Sequence, residues 1–190
     1  MSARKGNGLP MLALVVGLLA LPFAIAAGLY FVGWQPERTG NHGQLVNPPV
    51  PLPVSGLKTS DGRPLATAEL QGKWLLLLNG NGQCEADCVQ RINEMRRIQV
   101  SLNKDMGRLR RVVLTDQLTD PEFAAAVQRQ PDLVLAEAPP HWLPGSGERA
   151  GYRLHIIDPQ GSLIMDYPTD IAAKNVRGDL ERLLKFAWTG

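Results

Sequence analysis

Cys84 and Cys88 are the only two cysteines in a chain of 190 residues. They lie in the stretch NGNGQCEADCVQRINEMRRI, residues 79–98. Read as the start of a helix, the i to i+4 spacing sets both thiols on one face, one turn apart. Three kinds of chemistry are open to such a pair. Their α-carbons would stand about 6 Å apart, within the span of a disulfide, so the thiols can exchange with a disulfide. As thiolates they are two soft ligands suited to Cu(I). As a structural staple they would close so short a loop that little chain entropy is removed. A helix N-terminus lowers a thiol pKa, whereas the neighbouring Glu85 and Asp87 push the other way.

Other reactive residue types are sparse. His42 falls in a Pro/Gly-rich stretch and reads as solvated surface. His155 alternates with Leu154 and Ile156, so it reads as a structural strand residue. His141 sits on a proline-bounded loop, EAPPHWLPG. Asp116 and Asp120 follow a strand-like run and read as turn and cap residues. No glycine-rich phosphate loop, Ser-His-Asp order or zinc spacing is present.

The elements that must position the cysteines follow from hydrophobic periodicity. The continuous apolar run Trp74 to Asn79 predicts a central strand, ended by Gly80 and Gly82. After Cys84, apolar residues at Val89, Ile92, Met95, Ile98 and Leu102 predict an amphipathic helix. Residues 108–116, RLRRVVLTD, predict a second strand, and Asp120-Pro121 a helix start. Residues 152–167 predict a hairpin around the turn Asp158-Pro159-Gln160-Gly161. A last helix carries Val176, Leu180, Leu183 and Leu184 on one face. The fold class is α/β.

Residues 1–8 carry Arg4 and Lys5, the only charges before Trp34. Residues 9–34 hold none, and about 20 apolar residues cross a bilayer core, so this segment predicts one transmembrane helix. Pro10 and Pro22 are tolerable there, and Tyr30 and Trp34 fall where aromatic belts sit. The basic flank places residues 1–8 in the cytoplasm and the rest outside it. In a bacterium this is the inner membrane with a periplasmic domain, a compartment where disulfides persist. A signal peptide cleaved after Ala26 is the competing reading. Residues 35–53, rich in Pro, Gly and Asn, predict an extended linker, leaving 54–190 as the domain. Beyond Trp34, 18 Lys and Arg balance 18 Asp and Glu, which argues against a nucleic-acid partner.

This order of strands and helices, with two cysteines heading the first domain helix, is the thioredoxin-like order. Within it, GKWLLLLNGNGQCEADC, VVLTDQLTDPE and LHIIDPQGSLIMDY resemble the SCO/SenC family of cytochrome c oxidase assembly proteins over about residues 50 to 188. Gly72-Lys73-Trp74, the Cys84/Cys88 spacing and Asp158-Pro159-x-Gly161 fall in family order. The resemblance implies Cys84 and Cys88 as copper ligands and redox residues, and a third ligand, a histidine, shortly before the Asp-Pro turn. Counting back from Pro159 reaches Ala150, and no histidine occurs from Leu143 to Leu154. His141 is the candidate replacement. Asn81-Gly82-Gln83 and Glu85-Ala86-Asp87 also depart from the family's aromatic- and proline-rich surroundings.

The implied function is assistance in assembling the copper site of cytochrome c oxidase, by thiol-disulfide reduction, Cu(I) handling, or both. The implied partner is the copper-bearing oxidase subunit or another periplasmic thiol or copper protein. A general periplasmic thiol-disulfide oxidoreductase and a non-catalytic assembly factor remain alternatives. The topology makes a direct prediction. The chain stays in the membrane fraction after carbonate washing, and a periplasm-dependent reporter fused after Gly190 is active. Release of a shortened soluble form would point to cleavage after Ala26.

Overall fold

The computed structural model describes residues 8–34, 40–53, 56–59, 62–80, 86–115, 121–139, 142–143 and 151–186. The chain divides into two compact units, Met1–Gly40 and Asn41–Gly190. In the first, α1 (Leu9–Phe31) is a 23-residue helix with Pro22 inside it and no buried residue. At 1.5 Å per residue it is about 35 Å long. It is apolar on every side and long enough to cross a membrane.

The second unit is built on a six-stranded sheet. Its elements are β1 (Gln44–Pro51), β2 (Trp74–Asn79), α2 (Ala86–Ser101), β3 (Leu109–Leu114), α3 (Pro121–Gln128), β4 (Val134–Ala136), β5 (Arg153–Ile157), β6 (Ser162–Asp166) and α4 (Ala173–Phe186). The strand order is β1-β6-β5-β2-β3-β4. β2, β3 and β4 run parallel, while β5 pairs antiparallel with β2 and β6, and β1 antiparallel with β6. Parallel neighbours need a crossover, and α2 and α3 supply it.

The apolar run of β2 is continuous because the strand is covered on both faces. Leu76 and Leu78 face a core shared with Ile92, Met95 and Ile98 of α2 and Val176, Leu180 and Leu184 of α4. Leu75 and Leu77 face a second core with Leu52, Leu57, Trp142 and Leu143. The hairpin turn is closed by Asp158, whose Oδ1 accepts from the amides of Gln160 and Ser162. Gly161 takes a φ of 86° there, a region in which a side chain is strained.

The linker expectation for residues 35–53 needs correction from Gln44 onward. That stretch is an edge strand of the sheet, with Gln44 opposite Asp166 and Val50 opposite Leu163. Its prolines suit an edge, where a missing N–H costs no ladder bond on the outer side. The segment is also tied down just before the strand. Asp179 of α4, 1% exposed, accepts hydrogen bonds from the backbone amides of His42 and Gly43 and from the Tyr167 hydroxyl. Burial and the adjacent carboxylate push the Tyr167 hydroxyl pKa upward, so it stays a donor. His42, expected on a solvated linker, is therefore part of the domain.

A second buried polar group lies beneath α2. Arg111 of β3 is fully buried and donates to Gln99, Gln130 and Asp132. Buried charge is tolerated when its donors are all engaged in this way. Burial raises the Asp132 carboxyl, but the Arg111 hydrogen bond and charge outweigh it and hold it below the usual carboxylate range.

Asp179 offers a clean test of the domain boundary. Asp179→Ala leaves two amides and a phenol without their acceptor, so it should cost about 3 kcal/mol in urea unfolding of the full chain. A loss below about 0.5 kcal/mol, the size of an ordinary surface change, would mean that the segment before β1 is not fastened as described.

Candidate functional site

β2 ends at Asn79, and Gly80 continues its ladder by donating to the Leu114 carbonyl at 3.3 Å. Gly80 is required by what covers it. A Cβ there would stand 2.6 Å from Cγ and Cδ1 of Tyr152 and 2.9 Å from the Gly151 carbonyl oxygen, closer than atoms pack. Six residues later α2 begins, and Cys88 is its third residue. The cysteine side chain is 3% exposed and shares the core with Ile92 and Met95. These lie four and seven positions on, the same helical face. Cys88 is disulfide-bonded. The other cysteine, Cys84, lies outside the described residues, as do His141, Asp116 and Asp120.

One contact braces this end of α2, and another joins the neighbouring strand ends. Arg91, one turn beyond Cys88, donates to the carbonyls of Thr169 and Ile171, each at 2.6 Å, and pairs with Glu94 at 2.8 Å. The Tyr152 hydroxyl lies 2.9 Å from Oγ1 of Thr115, the residue after β3. Arg91 thereby ties the loop after β6 to α2, while Tyr152 joins the exits of β2 and β3. Asp87 occupies the first turn of α2, where negative charge suits the helix dipole.

The described histidines are placed differently. His155 pairs in register with Leu77 and Asp166, and Leu77 belongs to the core on the face opposite α2. His155 therefore stands across the sheet from Cys88, which agrees with a structural role. His42 is held through its backbone by Asp179. Neither takes the place of an imidazole ligand beside Cys88. Among the described residues no group of three or more His, Cys, Asp or Glu could hold a metal ion.

Gly80, Thr115, Tyr152 and Arg91 were not legible as site residues. Gly80 marked the end of a strand, and Tyr152 merely the first residue of a hairpin. Their meeting depends on β5 lying beside β2, a pairing of segments far apart in the chain.

A central parallel pair joined through a helix, an antiparallel hairpin on its other side, and a disulfide-bonded cysteine in the first turns of that helix define a thioredoxin-like domain. Residues 74–187 match the family described as transmembrane-like, thioredoxin-like, C-terminal domain, and the chain belongs to that family. Among solved structures, the domain is similar to apo Sco1 from Thermus thermophilus at 19% identity and TM-score 0.58, covering 78% of this chain and 99% of that one. Yeast Sco1 with copper bound is similar at 14% identity and TM-score 0.59, covering 75% and 96%. BsSco, described as a member of the Sco family of cytochrome c oxidase assembly proteins with a disulfide switch, is similar at 14% identity and TM-score 0.52, covering 75% and 99%. At these identities the likeness is one of fold. It agrees with the thioredoxin-like order of strands and helices read from the sequence. Comparison with curated proteins gives no match.

His155 carries a pH prediction. Burial lowers its pKa from 6.5 to about 4, with Asp166 opposing and Arg153 adding to the shift. The unfolded chain therefore binds a proton between pH 6.5 and 4 that the folded chain refuses. By linkage, the His155 contribution to stability is complete above pH 6.5 and falls as pH drops toward 4. His155→Gln should flatten the stability curve across that window relative to wild type, as urea midpoints from pH 7 to 4 will report. Parallel curves would contradict the assignment.

Proposed function

We propose that this chain is a membrane-anchored thiol-disulfide exchange protein whose working pair is Cys84 and Cys88. The observation that carries the reading is the disulfide at Cys88 on the buried face of α2. The chain holds one other cysteine, so an intramolecular partner for Cys88 is Cys84. A sulfur buried in the core is a poor target for a second protein. Cys84 is accordingly the attacking residue and Cys88 the resolving one.

In the reduced protein the Cys84 thiolate attacks one sulfur of a client disulfide. A mixed disulfide forms and the first client thiolate leaves. The Cys88 thiolate then attacks the Cys84 sulfur, releasing the second client thiolate and forming the Cys84–Cys88 disulfide. The client gains two electrons and, at neutral pH, two protons, and this chain is oxidised by the same two electrons. A dithiol reductant must restore it for another turnover.

The client we propose is the copper-bearing subunit of cytochrome c oxidase. Support comes from the fold shared with Sco structures, including one described by its oxidase assembly family, and from the sequence motifs in family order. The basic pair Arg4 and Lys5 before α1 supports a periplasmic domain on an inner-membrane anchor. Copper enters as cargo in a second reading, favoured by the copper-bound state of yeast Sco1. Two thiolates suit Cu(I), so the reduced pair would carry it.

Trapping separates these readings. Cys88→Ser removes the resolving thiol, so full-length protein expressed in cells should accumulate a mixed disulfide through Cys84, with the oxidase subunit identified by mass spectrometry. Cys84→Ser should trap nothing. A trap formed only through Cys88, or by neither variant, would overturn the exchange mechanism. For copper, the reduced chain in detergent should bind one Cu(I) that the Cys84→Ser/Cys88→Ser double variant does not, and His141→Ala should change little. Without stoichiometric Cu(I) binding the cargo reading falls and exchange stands alone.

A further inference from the structure

Helix α4 has two unlike sides. Val176, Leu180 and Leu184 are buried in the core shared with α2 and β2, so its apolar side is fully committed. The opposite side is charged. Lys174, Arg177, Glu181 and Lys185 recur every three or four positions and are exposed, as are Arg182 and Phe186. The carboxylate among them is already engaged, because Glu181 Oε1 accepts from Arg177 at 2.7 Å. Gly178 lies in the same stripe, and a Cβ built there would meet no atom within 4 Å. The middle of the charged face is therefore open. At the last turn the face runs into a cleft of about 590 Å³ shared with the turn Asn103–Arg108. Lys104 and Lys185 line it, while the Asp105 carboxylate there pairs with Arg108 at 3.2 Å. Beside the cleft Phe186 is 70% exposed, with the Lys185 ammonium 5.7 Å from its ring centroid.

We propose that the charged face of α4, with the cleft at its end, docks on a bilayer surface rich in anionic phospholipid headgroups. Lys104, Lys174, Arg177, Arg182 and Lys185 supply the cations, and the carboxylates Asp105 and Glu181 among them are both paired within the protein. Each Lys or Arg held near a negatively charged leaflet strengthens binding by about fivefold. Because the apolar side of α4 belongs to the core, the docking is electrostatic and peripheral rather than insertion of the helix. Phe186 alone offers an aromatic ring to the interfacial layer. An acidic protein would match the same charge, but a bilayer is the partner that the chain brings with it. In the sequence only residues 35–40 lie between Trp34, at the end of the apolar segment, and the unit that begins at Asn41. A lipid surface is thereby presented to the domain at high effective concentration. The proposal does not depend on the thiol chemistry.

The test places single copies of the full-length chain in nanodiscs of phosphatidylcholine alone or of equal parts phosphatidylcholine and phosphatidylglycerol. Lysine acetylation rates are then followed residue by residue by mass spectrometry. Lys58 is the internal reference, since its neighbour Leu57 packs in the core on the other face of the sheet. Relative to it, Lys174 and Lys185 should be modified several-fold more slowly in the anionic discs. The difference should vanish in 1 M salt, where the screening length falls to about 3 Å. Gly178→Lys should strengthen the docking equilibrium and Gly178→Glu weaken it, each by about fivefold. Neither new side chain meets a neighbouring atom at its Cβ, and urea midpoints will report that both variants fold. Equal rates in the two kinds of disc would overturn the proposal, whether both are fast or both are slow. Protection that Gly178→Glu leaves intact would overturn it as well, because the cover would then not be held by charge.

Discussion

The face of α2 that carries Cys88, Ile92, Met95 and Ile98 is pressed against Leu76 and Leu78 of β2, and the placement of the sulfur follows from that contact. Burying each large apolar side chain contributes about 1.5–3 kcal/mol. Turning the helix far enough to present Cys88 to a client would withdraw Ile92 and Met95 with it, a cost on the order of 5 kcal/mol or more. The helix therefore stays where it is, and Cys88 stays inside. A sulfur in the core is the natural outcome of placing Cys88 in phase with an apolar stripe.

The polar interior obeys the same economy of partners. Arg111 lies under α2 with all its donor groups turned toward Gln99, Gln130 and Asp132. Asp179 receives two backbone amides and a phenol at the other end of the helical layer. Each removes a cost that burial would otherwise impose, and each joins segments that apolar packing alone would leave loosely aligned. Asp179 fastens the stretch before β1, while Arg111 connects β3 to α2 and to the turn after α3. Neither lies among the groups assigned to thiol chemistry.

Much of this arrangement was legible in the residue order. β2 was read from an unbroken apolar run, α2 from apolar residues every three or four positions, and the β5–β6 hairpin from two β-rich runs around Asp158 to Gly161. These signals are local, and local periodicity survives whatever the tertiary context. β1 was missed because Pro48, Pro49 and Pro51 argue against a strand unless it is known to lie on an edge, a property of the sheet. β4 has three residues, too few to show a period. Arg111 could not be recognised as interior, since burying it depends on three partners from different elements. Tyr152 and Gly80 meet only because β5 inserts beside β2. The cysteine spacing pointed to thiol chemistry, but the proposed division between a buried and an attacking sulfur depends on which face α2 turns to the sheet.

That division is tested most directly by differential alkylation of the reduced, folded full-length chain, with the modification of each cysteine followed by mass over time. Cys84 should react at the rate of an accessible thiol. Cys88 should react about 100-fold more slowly or less, at a rate set by opening of the α2 core. Equal rates at the two cysteines in protein that remains folded would contradict the buried resolving role of Cys88 and the exchange mechanism built on it.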